Sequence, residues 1–388
     1  MSKVLFINGP AEGHINPTLG LVRELIHRGE EVVYLAPAPF RGKIELTGAG
    51  FREFNSFYGQ PESGDLPGFL GMMRFLLRSA DQVIDQAMEL TATERYDYVV
   101  HDAFFGWGTL IAHLLQATSI SSNSTFAPVI NSSMTGKDER SAAQLEEIKQ
   151  EMLQLSSRYG FPVSRMQDMI FNKGVMNLVY TSEYFQPHRH LFDETYHFVG
   201  PSIVKREDAP DFPWSQLEGA QSIYISLGTI ANDDKSFYEA CFKAFAEMPY
   251  RIVMSIGNKI SASALTGVPS NFILQPYAPQ LEILKKVDLF ITHGGMNSVS
   301  EALFHDVPLI VIPLSADQPI VASRVEELGC GVKLSRQQAT AEALRSAVDG
   351  VISNDAYKRN SSIVGETLRN AGGYKRAADL VMAMTKAR

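Results

Sequence analysis

The sequence predicts an α/β protein of two doubly wound halves facing each other across a cleft. Three observations carry this. Short apolar runs alternate with amphipathic stretches of helical spacing, the pattern of right-handed crossover units on a parallel sheet. The alternation breaks once, after Val199-Gly200-Pro201, where KREDAPDFPW at 205–214 combines charge and proline with little to bury. It then restarts in the same form. At 388 residues, a prior of roughly 150 residues per domain allows two or three domains, and the order of motifs selects two.

In the first half, Val4–Asn8 reads as a buried strand running into the turn Gly9-Pro10-Ala11-Glu12-Gly13. Leu19, Val22, Leu25 and Ile26 recur at helical spacing and Gly29 stops the helix. Glu31–Ala36 is a second strand, Phe40–Leu46 a short helix and Phe51–Phe54 a third strand. Tyr96–His101 makes a fourth, Gly106–Leu115 a helix and Thr118–Asn123 a fifth strand. Between them, Ser56–Pro67 and Thr125–Asp138 are rich in Ser, Gly, Asn and Pro. Loops that long more often carry function than not.

The second half predicts strands at Ser222–Ser226, Arg251–Ser255, Phe272–Gln275, Leu289–Thr292 and Leu309–Ile312. Helices are expected at Phe237–Glu247, Leu281–Lys286, Asn297–Phe304 and Ala316–Leu328, with a largely helical tail from Thr340.

Composition narrows the function classes. Hydrophobic residues at 45% and charged ones at 20% describe an ordinary globular chain and exclude dominant disorder. There are 43 acidic against 35 basic side chains, a net charge of −8, and no Lys/Arg cluster. Nucleic acid and anionic membrane are therefore poor partners. Two cysteines, Cys241 and Cys330, far apart in sequence, offer neither a disulfide framework nor a cysteine metal site. MSKVLFINGP is too short an apolar run for a signal peptide, and no run approaches the ~20 apolar residues of a membrane span. A soluble, cytoplasmic protein is expected.

Four stretches carry chemistry. The first is NGPAEGHINP, which places His14 at the end of the loop after the first strand. Ligands of open parallel sheets bind there, and an imidazole suits general-base work near neutral pH. The plainer reading is a surface histidine near a helix start. The loop does not match G-x-G-x-x-G and no phosphate-loop lysine follows. The second is Val99-Val100-His101-Asp102, a carboxylate ending a buried strand on the same sheet edge. It needs a partner, and an imidazole N–H is one. Paired, the two would work as the acid–base part of a triad does; alone, Asp102 merely caps the next helix. His101 points the other way by strand alternation and ranks below His14.

The third stretch is Ile291-Thr292-His293-Gly294-Gly295-Met296-Asn297-Ser298. Its glycines allow close backbone approach, the helix behind them offers unpaired N–H groups to an anion, and His293, Asn297 and Ser298 add donors. Ordinary strand-to-helix turn chemistry is the alternative. Ser226-Leu227-Gly228-Thr229 has the same form. The fourth is Tyr277-Ala278-Pro279-Gln280, with Glu301 one turn into the helix and Asp317-Gln318 further on. An aromatic ring beside backbone amides can stack on a base, and the others can meet sugar hydroxyls. No D-x-D occurs, and the nine histidines show no metal-ligand spacing.

YAPQLEILKKVDLFITHGGMNSVSEALFHDVPLIVIPLSADQ (277–318), with GHINP near the start, FVGPS before the break and SLGT after it, resembles the nucleotide-sugar-dependent glycosyltransferases of the UDP-glucuronosyl/glucosyltransferase type. The nearest look is their bacterial macrolide-glycosyltransferase branch, including Bacillus enzymes that glucosylate flavonoids and phenols. The resemblance implies the GT-B fold, an acceptor domain at 1–204, a linker at 205–220, a donor domain at 221–372, and a final helix 373–388 returning to the first domain. It implies His14 as catalytic base with Asp102 as its partner. Tyr277, standing where many relatives have Trp, would stack on uracil, with Ala278 supplying backbone contacts. Gln280 and Glu301 would lie at the ribose. His293, Gly295, Asn297, Ser298 and Thr229 would hold the diphosphate, Met296, Asp317 and Gln318 the hexose, and Ser124 and Thr125 would approach the phosphates from the first domain.

The implied reaction is an inverting transfer, without metal or other cofactor, from a UDP-sugar to a hydroxyl of a small, apolar, aromatic acceptor. Phe54, Phe57, Phe69, Met72, Met73, Phe75 and Phe126 are candidates for that acceptor's walls, although core packing explains any one of them. A monomer or weak dimer is expected. An epimerase on the same fold, an antibiotic-inactivating transferase and a non-catalytic nucleotide-sugar binder are the competing readings.

Overall fold

The apolar runs become the centres of two parallel sheets. A computed structural model describes residues 1–55, 69–104, 107–129, 139–162, 171–206, 210–229 and 232–386. The chain divides into a first unit, Met1–Tyr180 with His188–Ser202 and Tyr374–Arg388, and a second, Thr181–Pro187 with Ile203–Gly373.

The first unit holds strands β1 (Lys3–Ile7), β2 (Glu31–Ala36), β3 (Gly50–Glu53), β4 (Tyr98–Asp102), β5 (Thr118–Asn123), β6 (Met176–Val179) and β7 (Tyr196–Phe198). Its helices are α1 (Glu12–His27), α2 (Arg41–Glu45), α3 (Phe69–Thr91), α4 (Gly108–Leu114) and α5 (Glu139–Arg158). The second holds β8 (Ser222–Ser226), β9 (Arg251–Ser255), β10 (Phe272–Gln275), β11 (Leu289–Thr292), β12 (Leu309–Val311) and β13 (Gly331–Lys333). Its helices are α6 (Lys235–Phe245), α7 (Gln280–Leu284), α8 (Met296–Phe304), α9 (Gln318–Glu327), α10 (Ala341–Ile352) and α11 (Asp355–Asn370); α12 (Gly373–Lys386) follows.

Among the described residues the sheet orders are β3-β2-β1-β4-β5-β6-β7 and β10-β9-β8-β11-β12-β13, with parallel pairing between β1 and β4 and between β8 and β11. In each, the chain winds outward on one side of its first strand and then crosses to the other. The crossing leaves a crevice at the carboxyl ends of β1 and β4, and another at those of β8 and β11; such reversals are where open parallel sheets bind ligands.

Side-chain alternation buries both faces of the first sheet. Leu5, Ile7, Leu35 and Val99 pack with Val83, Ile84, Leu110, Ile111 and Met152 of α3, α4 and α5. Val4, Phe6, Tyr34 and Val100 pack with Leu21, Val22 and Leu25 of α1 and with Ala377, Ala378 and Val381 of α12. Each aliphatic side chain so buried contributes about 1.5–3 kcal/mol, which is why β1 and β4 read as continuous apolar runs.

Two boundaries move the chemistry. Helix α1 begins at Glu12, so His14 is its third residue and Pro17 lies inside it, not at a loop's end. Strand β4 runs through Asp102 and leaves Tyr96 outside. The division at residue 204 also needs one correction. Thr181–Pro187 belongs with the second unit, because Arg324 donates to the Phe185 and Tyr184 carbonyls and Ser182 Oγ lies 2.8 Å from Thr367 Oγ1.

Candidate active site

The first unit's crevice is built from the turn after β1. Pro10 and Ala11 bring the chain round within one tight step, Ala11 N–H donating to the Gly9 carbonyl at 2.8 Å. Lys43 anchors the new helix through Glu12 at 2.6 Å. Behind the turn, the buried Tyr34 hydroxyl ties the end of β1 to α1: Asn8 donates to it at 2.9 Å and Thr18 Oγ1 lies 2.8 Å away. His14 is thereby delivered to Asp102, with Nδ1 2.6 Å from Oδ2. Gly9 N–H approaches the same oxygen at 3.4 Å, and Phe104 N–H donates to Oδ1 at 2.7 Å.

A carboxylate only accepts, so Nδ1 carries the hydrogen toward Asp102. The Asp102 side chain is 2% exposed and that of His14 20%. The carboxylate is sequestered and the imidazole is reachable, the arrangement of an oriented base. Ser124, expected to approach the diphosphate, also lies here: its Oγ is 3.0 Å from His14 Nδ1, a second oxygen near the same hydrogen. Thr125 follows it with a buried Oγ1 that has no hydrogen-bond partner. His101 is fully buried, with Nε2 2.7 Å from Ser119 Oγ. Burial holds its pKa down at about 4; it is a neutral core histidine.

Next to Asp102 the first unit has a small apolar recess lined by Met73, Leu76, Leu77, Phe104, Trp107, Met152 and Asn172. Of the expected acceptor wall, Met73 alone among the described residues lines it. Phe54 belongs to the core and Phe75 packs against it, Phe126 is buried, and Phe57 and the side chains of Phe69 and Met72 fall outside the described residues. Phe104 and Trp107 were not singled out in the sequence, although they follow Asp102 closely in the chain. Trp107 adopts a left-handed conformation at the start of α4, φ 52°, a strained position for a bulky residue.

The second unit's crevice contains a different set. Paired β8 and β11 place Gly228-Thr229 beside His293-Gly294-Gly295. Gly294 needs its positive φ of 87°. Gly228 shares that requirement, at φ 79°, and it and Gly295 have another reason to be glycine. A Cβ on Gly295 would stand 2.5 Å from His293 Nε2, and one on Gly228 would stand 2.6 Å from Cε1. The two glycines make the slot that holds the ring. Burial lowers the His293 pKa to about 4, against an opposing pull from Asp317, so the ring is a neutral donor. Helix α8 starts on Gly295 with no side-chain cap, so its N-terminal turn faces the crevice at the end of β11. Thr229 is exposed, Met296 buried, and Asn297 and Ser298 half-buried.

Beside this lies Glu301, 5% exposed. Gln280, at the start of α7, donates to Oε2 at 2.6 Å and reaches Ser298 Oγ at 3.4 Å. Arg206 hydrogen-bonds Oε1, a partner the sequence did not disclose because it sits in the stretch read as linker. Tyr277 is 44% exposed, its ring available for stacking, and Ala278 follows it half-buried. Asp317 precedes α9 without a side-chain cap bond, next to Ala316 at φ 55°. Gln318 Oε1 accepts the Leu314 and Ser315 N–H groups at 2.8 and 3.0 Å. The glutamine clamps its own loop and leaves its amide nitrogen for anything beyond. Among the described residues no three His, Cys, Asp or Glu side chains gather as a metal-holding group, and no helix is long and apolar enough to cross a membrane.

Comparison with known proteins agrees with this anatomy. The family model described as UDP-glucuronosyl and UDP-glucosyl transferase matches residues 197–367. An uncharacterized UDP-glucosyltransferase, YojK, of Bacillus subtilis is 36% identical over 100% of this chain and 98% of its own. The NDP-glycosyltransferase YjiC of Bacillus licheniformis is 32% identical over 98% and 97%. Among solved structures, the calicheamicin glycosyltransferase CalG4 superposes with a TM-score of 0.87 at 26% identity, covering 99% of this chain and 98% of that one. Two Rossmann-like parallel-sheet units are the GT-B architecture, and with relatives matched end to end the chain is a glycosyltransferase belonging to the UDP-glucuronosyl and UDP-glucosyl transferase family.

Proposed function

We propose that this enzyme transfers glucose from UDP-glucose to a hydroxyl of a small, apolar, aromatic acceptor, with inversion and without a metal. The observation that carries the reading is the 2.6 Å contact between His14 Nδ1 and the buried Asp102. His14 Nε2 takes the proton from the acceptor hydroxyl, and Asp102 stabilises the imidazolium that forms. The acceptor oxygen bonds to the anomeric carbon as the bond to the diphosphate oxygen breaks, and UDP leaves with that electron pair. Attack opposite an α-linked leaving group gives a β-glycoside. Charge growing on the diphosphate is met by the α8 N–H groups, neutral His293, Asn297, Ser298 and Thr229. Tyr277 and Ala278 take the base, Gln280 and Glu301 the ribose, and Asp317 with the Gln318 amide the hexose.

The apolar acceptor follows the family resemblance; the recess lined by Met73, Phe104 and Trp107 is too small to hold one. The names UDP-glucosyltransferase and NDP-glycosyltransferase of the relatives support the donor class. The test is turnover of UDP-glucose with a simple phenol, recording product mass and anomeric configuration. General-base assistance is worth about 10²–10⁴-fold, so His14→Ala should lose that much kcat while still binding UDP. Retained turnover in that variant, an α-product, or loss of activity with EDTA would each sink the corresponding part of the reading.

A further inference from the structure

We propose that Arg206, in the stretch between β7 and β8, is a positioning residue of the nucleotide-sugar site: it fixes the Glu301 carboxylate in the orientation that accepts the two vicinal hydroxyls of a ribose. The proposal rests on the reading of Glu301 given above. Glu301 sits in the interior of α8 and is almost wholly buried. A charge in such a place is costly unless it is paired and each oxygen is satisfied. Gln280 supplies Oε2 with one neutral N–H, and its amide can also reach Ser298, so it does not lock the carboxylate by itself. Arg206 supplies Oε1 with a charge-assisted hydrogen bond, the stronger kind.

Each carboxylate oxygen offers about two acceptor sites. With Arg206 filling one on Oε1 and Gln280 one on Oε2, one acceptor on each oxygen remains. Two neighbouring acceptors match the 2′- and 3′-hydroxyls of a ribose, and one of them goes unused with a 2′-deoxyribose. Arg206 thereby contributes to sugar discrimination without touching the nucleotide. Its planar guanidinium is not replaceable by an ammonium on equal terms.

The test titrates the whole protein with UDP and with 2′-deoxy-UDP by calorimetry. Wild type should bind UDP more tightly than 2′-deoxy-UDP. Removing a charge-assisted bond is worth roughly tenfold. In Arg206→Gln the UDP Kd should rise by about that factor and the 2′-deoxy-UDP Kd, with one hydroxyl fewer to lose, by clearly less, so the ratio narrows; Arg206→Lys should restore part of it. A merely structural arginine would weaken both ligands together, and that result, or an unchanged ratio in Arg206→Gln, overturns the proposal. Glu301→Gln separates the two levels. If it loses the discrimination while Arg206→Gln keeps it, the positioning role alone falls. If Glu301→Gln keeps the discrimination, the ribose assignment of Glu301 falls and takes the proposal with it.

Discussion

The two crevices share a topology and differ in their electrostatics. Between β1 and β4 a carboxylate with 2% of its side chain exposed is paired with an imidazole. Between β8 and β11 a histidine is wedged between two glycines, and burial keeps its ring neutral. The first arrangement can hold a proton, because a nearby anion stabilises the protonated ring. The second offers hydrogen bonds, because burial outweighs the pull of Asp317 and the Ser226 backbone on a charged ring. In the proposed reading, one crossover geometry presents either a base or a cradle, depending on whether the strand leads into Asp102 or into His293-Gly294-Gly295. On the function proposed above, a chain of net charge −8 binds an anion through helix N–H groups and neutral donors.

Asp102→Asn should break the comparison most sharply. The amide can donate to Nδ1 and put the hydrogen on Nε2, the wrong tautomer for a base, and the expected loss in kcat is about 10²–10⁴-fold. UDP affinity, read by titration, should stay where it is; if it falls in step with kcat, the two crevices are not chemically separate.

Gly295→Ala is the complementary change. Its Cβ would displace His293, and overpacking of this kind costs about 1–3 kcal/mol. UDP binding should weaken accordingly, with the pH dependence of turnover unchanged. Wild-type UDP affinity in that variant would show that the slot does not serve the donor.

The smallest effect concerns stability. His101 has a folded pKa near 4 against an ordinary 6.5, so between those values the unfolded chain binds the extra proton. Stability therefore falls as the pH drops from about 6.5 toward 4 and is fully present above 6.5, with up to about 2 kcal/mol from this residue between pH 7 and pH 5. Urea unfolding at the two pH values should show that loss, and His101→Asn should shrink it.

Much of this was legible because buried parallel strands advertise themselves. Val4–Ile7, Val99–Val100 and Leu289–Ile291 are apolar runs too short for helices, and their ends name the crevices. The strands Tyr196–Phe198 and Gly331–Lys333 carry three residues each and no such signature; hydrogen bonds to a neighbouring strand define them. Side-chain partnerships across long separations were likewise silent. Ser124 meets His14 across 110 positions because β5 lies next to β4, and Arg206 meets Glu301 across 95 from a segment whose composition suggested nothing but a connection. Pro17 inside α1 misled the boundary of the first loop, since proline usually marks a helix start.

Helix α12 has a consequence for how the protein is made. Ala377, Ala378 and Val381 are completely buried against Val4, Phe6 and Tyr34, yet they follow the whole second unit in chain order. On a ribosome the first sheet emerges early and must wait, one apolar flank only partly covered by α1, until about 170 further residues have been translated. The half that is begun first is the half that is finished last.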